Sequence, residues 1–107
     1  MFTIHYFSEA VRLDVAALPF EMRARYAAYT GRMKQFGPSL GMPHTRAMGG
    51  GLFELRLQGP DGIARVFYCV AHERRIVMLH SFIKKTQATP KRELEIARRR
   101  KKEIDHA

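Results

Sequence analysis

The sequence predicts an α+β fold: an antiparallel-rich, four-stranded sheet covered by an N-terminal helical hairpin, with a basic helix at the C-terminal end. Three observations carry this expectation. Residues 51–85 read as three short strands joined by two tight turns and leaving through a pair of lysines. Ahead of them, two segments repeat apolar residues at helical spacing, and behind them a run of cations surrounds a sparse apolar stripe. A chain of 107 residues builds one modest core, so a single domain over 1–107 is expected.

Residues 2–7 (FTIHYF) combine aromatic and β-branched side chains over the length of a strand. Ser8 is placed to cap a helix whose Val11, Val15 and Leu18 fall on one face, with Glu9 at its positive end. Pro19 stops that helix and suits the first turn of the next. Over 20–36, Met22, Tyr26, Tyr29, Met33 and Phe36 keep the helical spacing, which gives a hairpin with one apolar side. Residues 37–51 are rich in Gly, Pro and Ser without periodicity and read as a loop, with Gly49-Gly50-Gly51 as a hinge. A phosphate cradle would need those glycines to open a helix after a strand, and that context is missing.

Residues 52–58 alternate, with Phe53, Leu55 and Leu57 on one face and Leu52, Glu54, Arg56 and Gln58 on the other. Gly59-Pro60-Asp61-Gly62 is turn chemistry. Residues 63–72 are almost continuously apolar apart from Arg65, as a strand covered on both faces requires, and 76–83 form another apolar run after the turn at 73–75. Thr89 before Pro90 marks the start of a final helix with Leu94, Ala97 and Ile104 as its apolar positions.

The chain carries 19 Lys+Arg against 10 Asp+Glu, a formal net charge of +9, which points to a polyanionic partner. Nine cations and two acids lie between Lys84 and Lys102, so the charge is concentrated at one end of the chain. Cys69 is the single cysteine; it rules out an intrachain disulfide and a cysteine zinc cluster, and inside a strand it reads as a small hydrophobe. The five histidines, His5, His44, His72, His80 and His106, show no HxH or HExxH spacing, so no metal site and no cofactor is expected. Nothing reaches the length of a membrane span and no basic leader is visible, so a cytoplasmic protein without a membrane partner is expected.

What remains for chemistry is an arginine and lysine constellation. The start of the third strand lies across a turn from the end of the second, and the end of the fourth lies beside it. Antiparallel pairing therefore brings Arg56, Arg65, Lys84 and Lys85 to one end of the sheet. Such a cluster holds phosphate and stabilises the charge that builds up during phosphodiester cleavage. RNA supplies its own nucleophile, the adjacent 2′-hydroxyl, so neither a nucleophilic side chain nor a metal is needed. A lysine inside a positive cluster is a candidate to move protons.

The series Glu54-Leu55-Arg56, Arg65-Val66-Phe67-Tyr68, Leu79-His80-Ser81-Phe82-Ile83-Lys84-Lys85-Thr86-Gln87 and Thr89-Pro90 resembles the phage-derived, HigB-like branch of the RelE/ParE superfamily of type II toxins. The likeness covers nearly the whole chain and implies a RelE-like fold. It implies an mRNA interferase, a ribosome-associated endoribonuclease that inhibits translation and is neutralised by a helix-turn-helix, HigA-like antitoxin. Carried over, Arg56, Arg65, Lys84 and Lys85 bind the scissile phosphate and assist proton transfer, while Lys91, Arg92, Arg98 and Arg99 form the RNA-binding face of the last helix. Tyr68 and His80 also match family positions; alternation and the apolar surroundings read both as structural, and Glu54 as the group that orients Arg56. The family leaves the general base open. A ParE-like gyrase inhibitor on the same fold and a non-catalytic nucleic-acid-binding module are the alternatives.

Overall fold

The computed structural model describes residues 1–60, 62–84 and 90–107. In chain order the elements are β1 (Thr3–Tyr6), α1 (Glu9–Ala16), α2 (Phe20–Phe36), β2 (Thr45–Gly49), β3 (Leu52–Gly59), β4 (Gly62–Ala71), a single 3-10 turn (His72–Arg74), β5 (Arg75–Lys84) and α3 (Lys91–Asp105). They form a five-stranded mixed sheet in the order β1-β5-β4-β3-β2. The strands are antiparallel except for β1, which runs parallel to β5 with Thr3 opposite Arg75 and Tyr6 opposite Met78.

This corrects the expected four-stranded sheet. The missing strand, β2, lies inside the segment read as a loop. Its sequence TRAMG holds too few apolar residues to alternate visibly, because an edge strand pairs on one side and is largely exposed. Its pairing is fixed by the glycines that read as a hinge. Gly50 and Gly51 occupy the two central positions of a tight hairpin turn at φ +63° and +83°, where a side chain would be strained. The parallel pair was equally hidden, because the partner of a first strand is set by the path of the two helices that follow it.

The helical hairpin forms as its sequence dictates. The Ser8 hydroxyl accepts from the Val11 backbone N–H at 3.3 Å, and Gly37, at φ +103°, ends α2. Val11, Val15, Leu18, Met22 and Met33 pack on Leu55, Leu57, Val66, Tyr68, Ile76 and Met78 across one face of the sheet. On the other face, Leu94, Ala97 and Ile104 of α3 cover Leu52, Phe67, Cys69, Val77 and Leu79. The central strand is therefore buried on both sides, from Ala64 to Cys69. Helix α3 is also clamped by two arginines. Arg98 donates to the Met48 and Gly49 carbonyls at 2.9 and 3.2 Å, and Arg100 donates to the Leu79 carbonyl at 2.7 Å. Thr89, the expected cap of this helix, and Lys85 lie outside the described residues. No helix among the described residues is long and apolar enough to cross a membrane.

Cys69 is fully buried under α3. Burial pushes its thiol up to about 11 from 9.0, with Lys101 pulling weakly the other way and Asp105 adding slightly. The folded value exceeds the unfolded one, so the buried thiol favours the native state below about pH 9, and that advantage is lost as pH rises toward 11. Native protein is expected to resist iodoacetamide at pH 7–8 and to react once unfolded in urea. Mass spectrometry of the alkylated chain checks this, and rapid labelling of the native form would contradict the packing.

Candidate functional site

Leu52 packs beneath α3, so alternation along β3 carries Glu54, Arg56 and Gln58 to the same face. Pairing then fixes their neighbours across three strands. Glu54 lies beside Phe67 and Phe67 beside His80; Arg56 lies beside Arg65 and Arg65 beside Phe82; Gln58 lies beside Ile63 and Ile63 beside Lys84. Successive rows are spaced about 7 Å along the strands. The structure thus brings Arg56, Arg65 and Lys84 to one end of one sheet face, as antiparallel pairing predicts.

Their surroundings differ from one another. Arg65 is 1% exposed and Glu54 is completely buried, with Arg65 Nη1 3.2 Å from Glu54 Oε2. Arg56 keeps 20% of its side chain exposed, and its Nε lies 3.8 Å from Glu54 Oε1. One carboxylate therefore stands between two guanidinium groups that the register sets directly opposite each other. Like charges facing across a strand pair repel, and Glu54 offsets that repulsion. Arg65 is the buried anchor of this triad, and Arg56 is the arginine that reaches solvent. The charged face of β3 is closed over Glu54.

His80 stands on the same face because of a bulge. The register between β4 and β5 shifts so that Phe67 pairs with His80 and Tyr68 with Met78, leaving Leu79 as the extra residue. Strict alternation from Val77 and Leu79 would have sent His80 toward the helical hairpin. Instead its Nε2 lies 3.3 Å from Glu93 Oε1 on α3, and its ring is near Phe82 at 5.9 Å between centroids. Phe82 in turn lies 5.6 Å from Phe67, which makes a partly exposed aromatic strip beside the arginines. Tyr68 is on the opposite face, fully buried, and donates to the Pro38 carbonyl at 2.5 Å. Burial pushes its phenol pKa far up, so it stays protonated.

Among the residues of α3, Lys91, Arg92, Arg98 and Arg99 are all exposed, but Arg98 is committed to the backbone of the β2–β3 turn. Lys91 and Arg92 open the helix next to the charged sheet end, whereas Arg98 and Arg99 lie toward the β2–β3 turn. Alternation and register identify the first cluster from the sequence. The bulge at Leu79 and the burial of Arg65 leave no mark on hydrophobic periodicity. Among the described residues no group of three or more His, Cys, Asp or Glu side chains is placed to hold a metal ion.

The triad yields a stability prediction. Glu54→Gln leaves two buried or half-buried guanidinium groups facing each other and is expected to destabilise the fold by about 3–5 kcal/mol, as breaking a buried pair does. The double change Glu54→Leu, Arg65→Met removes both charges and is expected to lose much less. Urea unfolding midpoints of the two variants measure the difference, and a Glu54→Gln midpoint equal to wild type would contradict the triad.

The fold and this charged sheet end can be set against known proteins. No curated protein matches the chain. A family model described as phage derived protein Gp49-like matches residues 14–102, a span that runs from α1 into α3 and includes Glu54, Arg56, Arg65, His80 and Lys84. With the match extending over most of its length, the chain belongs to the phage-derived Gp49-like family, a toxin-like family.

Proposed function

We propose that this protein is the toxin of a type II toxin–antitoxin pair, a HigB-like mRNA interferase that cuts mRNA on the ribosome. The observation that carries the reading is the register that sets Arg56 opposite Arg65, with Lys84 one row further along the same face. Two solvent-reaching cations, Arg56 and Lys84, hold phosphodiester groups of the message by charge-assisted hydrogen bonds. Buried Arg65 and Glu54 fix Arg56 in place, so the positive field is organised before RNA arrives. Phe82 and His80 offer ring faces on which an unpaired base stacks.

The nucleophile is the 2′-hydroxyl of the RNA itself, which is why the reading calls on no metal. Lys85 carries the same role as Lys84 by resemblance, and Lys91, Arg92 and Arg99 extend the positive surface along α3 to the flanking backbone. The remaining partner is a helix-turn-helix antitoxin of the HigA type. Both ribosome and antitoxin put the protein in the cytoplasm.

The reading is tested by expressing wild type, Arg56→Ala and Lys84→Ala in bacteria while following translation, mRNA integrity and plasmid supercoiling together. Wild type is expected to cut mRNA in a ribosome-dependent way, and each variant to lose about 10²–10³ in cleavage rate, the usual cost of removing one preorganised donor. Intact mRNA with lost supercoiling would replace this reading by gyrase inhibition. Salt-sensitive RNA binding without cuts would leave a binding module.

A further inference from the structure

A second set of residues around Arg56 is assigned by neither motif nor family match. Strand β2 stops short of the charged sheet end. Its first pair is Thr45 with Leu55, and the last contact beyond it is the Arg56 N–H donating to the His44 carbonyl at 2.8 Å. Past that point the outer edge of β3 turns toward α2, where Arg25 donates to the Gln58 carbonyl at 2.6 Å. The result is a cleft of about 180 Å³ at the sheet edge, lined by Arg25, Tyr29, His44, Arg56, Gln58 and Ile63, with Pro43 closing one side.

This volume is well below the roughly 300–1,000 Å³ of a pocket that engulfs a whole small molecule. It suits one phosphodiester group entering from a chain that continues outside. The lining has the composition such a group needs. Arg25 on α2 and Arg56 on β3 bring two guanidinium groups, and Tyr29 brings a phenol. His44 brings the one imidazole of the lining, and no carboxylate is among these residues. The nearest acids are Glu21 on α2, 3.9 Å from Arg25 Nη1, and Glu54 on β3, buried behind Arg56.

His44 is also held in place. Its ring lies 4.5 Å from the Tyr29 ring, centroid to centroid. Its N–H donates to the Gly41 carbonyl at 3.1 Å while its carbonyl accepts from Arg56. The Thr45 hydroxyl beside it accepts from the Leu40 and Gly41 N–H groups at 2.9 Å each, which ties the preceding loop to the start of β2. The imidazole remains partly exposed to the cleft. A half-open imidazole packed on Tyr29 and lining one cleft with two arginines is what general base catalysis asks for.

Building on the mRNA-cleavage reading, we propose that the scissile phosphate sits in this edge cleft between Arg25 and Arg56, and that His44 is the general base. Neutral His44 takes the proton of the 2′-hydroxyl as the 2′-oxygen bonds to phosphorus. The bond from phosphorus to the 5′-oxygen breaks, and that oxygen takes a proton from water. The products are a 2′,3′-cyclic phosphate and a 5′-hydroxyl end. Arg25 and Arg56 bind the charge that accumulates on the non-bridging oxygens, and Lys84 holds the neighbouring phosphate.

The experiment is single-turnover cleavage of mRNA on programmed bacterial ribosomes by wild type, His44→Gln and His44→Ala, with thermal melting to confirm folding. Binding of a 2′-deoxy-substituted, uncleavable message is measured alongside. His44→Gln is expected to lose about 10²–10⁴ in rate, the share general base catalysis supplies, with binding of the uncleavable message unchanged. The acid limb of the rate profile is expected to vanish with it. Added imidazole is expected to restore part of the rate of His44→Ala. Wild-type rates and pH profile in His44→Gln, or a rate loss matched by lost binding without imidazole rescue, would overturn the assignment while leaving the cleavage reading intact. Absence of cleavage by wild type would overturn both.

Discussion

The charged end of this protein depends on the carboxylate of Glu54. The register of β3 and β4 sets Arg56 and Arg65 side by side across a strand pair, an arrangement that water alone would have to screen at a surface. Here the pair lies against a helix-covered sheet, where screening is weak and an uncompensated charge is expensive. A completely buried Glu54, 3.2 Å from one guanidinium and 3.8 Å from the other, makes the arrangement possible. The consequence is functional as much as structural. Arg65 is consumed as an anchor, and Arg56 is left at a defined position with part of its surface open.

The same division between anchors and open cations runs through the basic C-terminal helix. A sparse stripe of Leu94, Ala97 and Ile104 is a thin basis for docking a helix with this much positive charge. Arg98 and Arg100 compensate by reaching the Met48, Gly49 and Leu79 carbonyls. Arg100 also lies over the Phe7 ring at 5.2 Å. Lys101 is paired with Asp105 at 2.6 Å. The exposed remainder, including Lys91, Arg92, Arg99 and Lys102, is what a polyanion would meet. Net charge therefore overstates the binding surface, because part of it is docking hardware.

Strand and helix positions were legible wherever side chains repeat. The Ser8 cap, the hairpin stripe from Val11 to Met33 and the three strands after residue 51 all follow from spacing, and so does the meeting of Arg56 with Arg65. Three features were not legible, each for a physical reason. Strand β2 is short, exposed and pinned by Gly50 and Gly51, so it has no apolar alternation to show. The parallel pairing of β1 with β5 depends on chain path, which local sequence does not encode. The bulge at Leu79 turns His80 to the helix α3 face, and a shift of register by one residue is invisible in a run of apolar side chains. The edge cleft combines these omissions, since His44 reaches Arg56 only because β2 exists and ends where it does.

In the proposed chemistry, arginines and lysines at one sheet end assist attack by RNA's own 2′-hydroxyl. The most direct measurement is the chemistry of the ends on mRNA fragments recovered from cells expressing the wild-type protein. That chemistry leaves 2′,3′-cyclic phosphate, or the 2′- or 3′-monophosphate it opens to, on the upstream fragment and 5′-hydroxyl on the downstream one, and these are the expected ends. Upstream 3′-hydroxyl with downstream 5′-phosphate would mean that water, not the ribose, attacked phosphorus, and would contradict it.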